Sequence, residues 1–133
     1  MDFSGVNYLA VIVAAVAGFA VGALWYGVIF TKAWIAAVEI PVDQMKQRGG
    51  SATPFILSGI AYLIMATFLS ALTAPASIVA GAVAGFLVWL GFILTTTAVN
   101  YAYPGRKYEL TAIDTGHWLA AMVVMGGILG AFG

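Results

Sequence analysis

Asp114 and His117 stand three residues apart in a chain that offers little other chemistry. On a helix, residues three apart share a face. A carboxylate and an imidazole on one face can pass a proton or hold a cation. They make a poor zinc centre, because zinc takes three or four protein ligands and the sequence has no second His and no Cys. Among the 16 glycines there is neither a nucleophile elbow nor a phosphate loop. No catalytic residue, metal site or cofactor is therefore assigned. Thr96, Asn100 and Tyr26 are the further polar residues that can join Asp114 and His117 in one site.

The elements that position them follow from composition. Of 133 residues, 63% are hydrophobic and 8% charged. A soluble domain of this size cannot hide so much apolar surface from water. Disorder needs the opposite composition. Five basic residues balance five acidic ones, so no basic stripe is available for nucleic acid. The lipid bilayer is the expected surrounding.

The charges leave long gaps at residues 3–31 and 49–105, and after Asp114. About 20 apolar residues cross the hydrocarbon as a helix. The first gap holds one span, the second holds two, and the last, extended back to Leu110, holds one. The second gap divides at Pro75, which suits the first turn of a following helix. The expected spans are about 6–30, 54–73, 76–100 and 110–131, within one four-helix transmembrane domain. Backbone in lipid must satisfy its own hydrogen bonds. The stretch from Leu9 to Phe30 lacks the alternation of a barrel strand. The fold class is thus an all-α polytopic bundle.

The N-terminus has no basic region and its apolar stretch is too long for a cleavable signal. Lys32, Lys46 and Arg48 fall in loop 31–53, and Arg106 and Lys107 in loop 101–109. The other three segments carry no Lys or Arg. The positive-inside rule puts both loops in the cytoplasm and both termini outside. Trp25, Trp34 and Tyr101 are expected as interface anchors. Residues 41–48 read as a short surface helix, with Asp43 early and Lys46 and Arg48 late; an ordinary polar loop is the alternative.

Counted from Leu110, Asp114 and His117 lie roughly 6 and 10 Å inside the fourth span. Ser58, Tyr62, Trp25, Tyr26, the threonines and Asn100 fall at similar depth, so all four spans feed one polar layer near the basic loops. Gly116 and Ala120 leave room beside the pair. An intramembrane carboxylate is a functional hypothesis by default. The structural alternative has Asp114 capping its helix or pairing with Arg106 or Lys107, and His117 bonding to Asn100 or Tyr26.

Small residues recur at intervals of four: Gly18 and Gly22, Gly81 and Gly85, Gly126 and Gly130. Such faces bring helix backbones together, either within the bundle or between copies. Residues 15–21 and 82–88 agree at six of seven positions. A duplicated helical hairpin explains this; coincidence in an Ala/Gly/Val-rich alphabet does too.

Leu24-Trp25-Tyr26-Gly27 with Phe30, Lys32, Ala33 and Trp34 resembles the start of the family called domain of unknown function 1761. Trp89-Leu90-Gly91-Phe92, Thr95-Thr96 and Asn100-Tyr101 resemble its third span, and Asp114, Gly116 and Trp118 its fourth. The resemblance implies a small four-span membrane protein, and with the lack of processing signals it favours a bacterial inner membrane. Val28 stands where similar proteins often carry Pro, which would leave the end of the first span a regular helix. No reaction is implied. Three readings remain open. A homo-oligomer could bind or conduct a small solute, cation or proton near Asp114 and His117. A structural or accessory subunit could pack by its small-residue faces. An enzyme acting on a lipid-like substrate ranks last.

Overall fold

The computed structural model describes residues 1–133, the side chain of Val42 apart. The fold is all-helical, with no strand among the described residues. Four helices are long and apolar enough to cross a membrane: Tyr8–Ile29, Thr53–Thr73, Ile78–Ala102 and Tyr108–Phe132. Their ends lie within two residues of the expected spans.

Local sequence explains the helix ends. Asn7 accepts a hydrogen bond from the Ala10 amide and starts span 1, and Ser77 accepts from Ala80 to start span 3. Each side chain satisfies an amide that the first helical turn leaves free. Pro75 is not in the first turn as expected; it is a buried residue in an otherwise exposed link after Ala74, whose φ of 39° ends span 2. Between spans 3 and 4 the chain reverses through Gly105 at φ 74°, a conformation that glycine adopts without steric cost.

Segment 31–53 is more structured than expected. It holds a helix at Thr31–Val38 and a second at Val42–Arg48, with Pro41 as the cap residue. Ala37 and Val38 of the first are buried with Leu110 and Ile113 of span 4. Trp25, Tyr26, Phe30, Trp34 and Tyr101 pack around them. Helix 31–38 thus closes the loop-side end of the bundle. Arg106 donates to the Val38 carbonyl at 3.4 Å, and Lys107 approaches Glu39 at 3.9 Å.

Span 4 is the axis of the molecule. Half of its apolar window is buried, against 28% for span 1, 17% for span 2 and 11% for span 3. It packs along span 3 on one side and span 1 on the other, while span 2 packs mainly on span 1. Spans 2 and 3 are therefore peripheral, with Phe55, Ile56, Ile60, Ile64, Val79, Leu87 and Phe92 exposed on their outer faces.

The glycines set the closest approaches. A Cβ on Gly81 would strike the carbonyl of Gly126, one on Gly85 that of Met122, and one on Gly130 that of Ser77. Spans 3 and 4 thus meet backbone to backbone. A Cβ on Gly18 would lie 2.9 Å from both Met125 and Tyr62. These small-residue faces pack inside one chain.

Both 15–21 and 82–88 are helical, and each runs into a π-helical turn that begins at a tryptophan: Trp25–Ile29 and Trp89–Leu94. The end of span 1 is thus not the regular helix that Val28 implied. The Phe30 amide reaches back five residues to the Trp25 carbonyl, at 2.8 Å. A π turn takes more residues per revolution than an α turn, so neighbouring side chains diverge less. Trp25 and Tyr26, adjacent in sequence, consequently both reach span 4.

Candidate functional site

The site is assembled on the loop-side half of span 4. The half-buried Asp114 carboxylate accepts one hydroxyl at each oxygen, from Tyr26 of span 1 at 2.5 Å and from Tyr101 of span 3 at 2.6 Å. Charge-assisted hydrogen bonds of this kind are short and about twice as strong as neutral ones. Three helices thereby converge on one carboxyl group. Asp114 neither caps its helix nor pairs with Arg106 or Lys107, which bind Val38 and Glu39 instead.

One turn further in, His117 is 4% exposed and Tyr62 of span 2 is 3% exposed. The Tyr62 hydroxyl and His117 Nε2 are 2.7 Å apart. Neither Asn100 nor Tyr26 is the hydrogen-bond partner that the sequence offered for His117. Tyr26 contacts it instead through its ring, with centroids 5.1 Å apart, and the Trp118 ring lies at 4.5 Å. Gly22 makes the Tyr62–His117 contact possible. A Cβ there would stand 2.8 Å from the Tyr62 hydroxyl and 3.1 Å from Nε2.

This pairing fixes the histidine tautomer. Nδ1 of His117 is buried without a partner among the described residues, and the Tyr62 hydroxyl has His117 alone. If Nε2 donated to Tyr62, the tyrosine O–H would be left without an acceptor and Nδ1 without a donor. If Tyr62 donates to Nε2, one group stays unsatisfied rather than two. Each buried unsatisfied group costs about 1–3 kcal/mol, so the second arrangement prevails. Nδ1 then carries the proton. It is a neutral buried donor with nothing to donate to.

Two tryptophans hold the flanks of span 4. Trp25 donates from Nε1 to the Ile113 carbonyl at 2.9 Å, and Trp89 to the Thr115 carbonyl at 2.8 Å. The Trp25 ring fills the space expected beside Gly116, lying 3.0 Å from a Cβ built there. Trp25 and Tyr101, expected as interface anchors, thus both bond to span 4. Trp34 packs its ring on Tyr26 at 5.9 Å.

Of the residues singled out from sequence, Asp114, His117 and Tyr26 are brought together. Thr96 and Asn100 are not: both lie on exposed helix surface, and the Thr96 hydroxyl returns to the Phe92 carbonyl of its own helix at 2.6 Å. Tyr62 and Tyr101 complete the cluster. Sequence placed Tyr62 at the right depth without assigning it a partner, and expected Tyr101 only as an interface anchor at the start of loop 101–109. Among the described residues no group of three metal-ligating side chains occurs.

The residue pattern and four-span geometry now meet a family profile. The profile described as "Protein of unknown function (DUF1761)" matches residues 9–130. The chain belongs to this family. The match runs from the first turn of span 1 almost to the end of span 4, so every residue of the cluster lies within the DUF1761 region. No curated protein and no solved structure matches the chain.

Proposed function

We propose that this chain is a small membrane protein that binds a small solute at the Asp114–His117 cluster. The observation that carries this reading is a buried imidazole nitrogen without a partner among the described residues, one helical turn from a carboxylate held by two other spans. Ionisable groups at such depth are costly and are retained where they do chemistry or binding. Binding is favoured over conduction. Beyond the cluster, Ala14, Ala66, Ala121 and Met125 have no exposed surface, and Leu69 and Leu129 pack with them. A pore would need a polar path through that half.

The five Lys and Arg residues on the two connecting loops support a cytoplasmic position for those loops and a bacterial inner membrane as the home. Self-association would use the outer surfaces of spans 2 and 3, since the glycine faces are occupied internally. A structural or accessory role is the second reading. It is favoured by the way the carboxylate and both tryptophans tie spans 1 and 3 to span 4.

The test is purification in native-lipid nanodiscs followed by mass spectrometry. The wild type should carry a small molecule that Asp114→Asn and His117→Ala both release. Proteoliposomes should dissipate an imposed pH gradient no faster than empty vesicles. A bound mass unchanged in both variants, or none in the wild type, would leave the structural reading in its place.

A further inference from the structure

We propose that the cavity between helix 31–38 and the link from span 3 to span 4 holds the phosphodiester headgroup of a membrane phospholipid, with Arg106 as its main contact. This goes beyond the solute-binding reading, because the cavity shares no residue with the Asp114–His117 cluster. Its volume of about 830 Å³ falls in the range of small-molecule sites. Methyl groups make its apolar wall. Ala33, Ala36 and Ala37 lie at helical spacing on helix 31–38, and Ala102, the last residue of span 3, joins them. Larger side chains at these positions would fill the space.

Arg106, Lys107 and Glu109 line the same cavity, so two cations and one carboxylate leave one net positive charge. That matches the single negative charge of a phosphodiester. Both cations have donors to spare. Among the described residues, Arg106 has one hydrogen bond, the 3.4 Å contact to the Val38 carbonyl, whereas a guanidinium carries five N–H groups. Its fork fits two phosphate oxygens at once. Lys107 faces Glu39 at 3.9 Å in an exposed pair, and such pairs hold weakly.

Position favours a lipid over a soluble phosphate. Ala102 ends span 3 and Tyr108 begins span 4, so the cavity stands at headgroup level once the spans cross a bilayer. Basic pockets between membrane helices on the cytoplasmic side bind phospholipid headgroups. Tyr103 and Tyr108 are almost fully exposed and put amphipathic rings at the same level. The alanine wall gives glycerol and the roots of the acyl chains an apolar contact that inorganic phosphate cannot use. A cation that only sets orientation would act alike anywhere on the loops. Lys46, on the Val42–Arg48 helix, lies outside the cavity and supplies that comparison.

The full chain in detergent is offered dioleoylphosphatidylglycerol or, at equal concentration, dioleoylglycerol, which has the same chains without the phosphodiester. Native mass spectrometry counts the molecules retained. The wild type should retain the phospholipid saturably and not the diacylglycerol. Arg106→Gln should weaken retention at least about tenfold, the effect of a lost charge-assisted hydrogen bond. Arg106→Lys should fall between, since it keeps the charge and loses the fork. Ala33→Leu with Ala36→Leu changes no charge and alters exposed positions; it should match Arg106→Gln by filling the cavity. Lys46→Gln should change little. Equal losses in Arg106→Gln and Lys46→Gln, or full retention in the alanine double variant, would overturn the proposal. Displacement by glycerol 3-phosphate at equal concentration would overturn the lipid as ligand and assign the soluble ester in its place.

Discussion

Asp114 is a single carboxyl group, yet its two hydrogen bonds join span 4 to both span 1 and span 3. Hydrogen bonds between membrane helices average about 0.6 kcal/mol and reach about 1.7; bonds to a charged acceptor belong at the upper end. Tyr26→Phe and Tyr101→Phe should each cost about 1–2 kcal/mol. The double variant should deviate from additivity, because both hydroxyls serve one carboxylate. Equilibrium unfolding in mixed micelles measures this, and strict additivity would show that the two bonds act independently. Gly22 gives a second test. Gly22→Ala pushes a methyl group against the Tyr62 hydroxyl and Nε2, so the single-histidine ¹⁵N spectrum should lose its one-tautomer pattern. An unchanged spectrum would remove Gly22 from its role. The sequence made Asp114, His117 and Tyr26 legible because depth along a span can be counted at 1.5 Å per residue. It misassigned Thr96 and Asn100 because depth says nothing of rotation about the helix axis. That rotation is set by packing against neighbours, here by Trp89 and the glycines turning toward span 4.

The four long helices were readable from charge gaps, since a bilayer tolerates few unpaired charges and forces the backbone to satisfy itself. The π turns were not. Both begin at a tryptophan that bonds span 4, a partner that the sequence does not name. The same holds for helix 31–38, whose short apolar face becomes informative once Leu110 and Ile113 are beside it. Packing at this scale depends on where a methyl group can fit. Gly85→Ala would drive Cβ into the Met122 carbonyl, which is backbone and cannot rotate away. Spans 3 and 4 must then separate, at a cost of about 1–3 kcal/mol or more. Gly91, in the same span, has nothing within 4 Å of a Cβ. Gly91→Ala should stay within about 0.5 kcal/mol of wild type. Thermal unfolding of the two variants in one detergent separates the cases. Equal effects would mean that spans 3 and 4 do not approach as closely as described.

At the scale of the whole molecule, both connecting loops gather at one end and both termini at the other. Asp2, Asn7, Pro75 and Gly133 line one cleft, while Val38 and Glu39 meet Arg106 and Lys107 at the opposite end. All Lys and Arg residues therefore lie on a single side. This distribution predicts an absolute orientation, because short loops rich in Lys and Arg stay in the cytoplasm. The absence of cysteine makes the prediction easy to check with single-cysteine variants, which carry no background label. A membrane-impermeant thiol reagent applied to intact cells should label Ser4→Cys and Ser77→Cys. It should reach Ser51→Cys and Gly105→Cys only after the membrane is opened. The reverse pattern would invert the molecule. Labelling of Ser51→Cys and Gly105→Cys from different sides would be more serious. It would break the four-span topology that brings Tyr26, Tyr62 and Tyr101 to span 4, and with it the site itself.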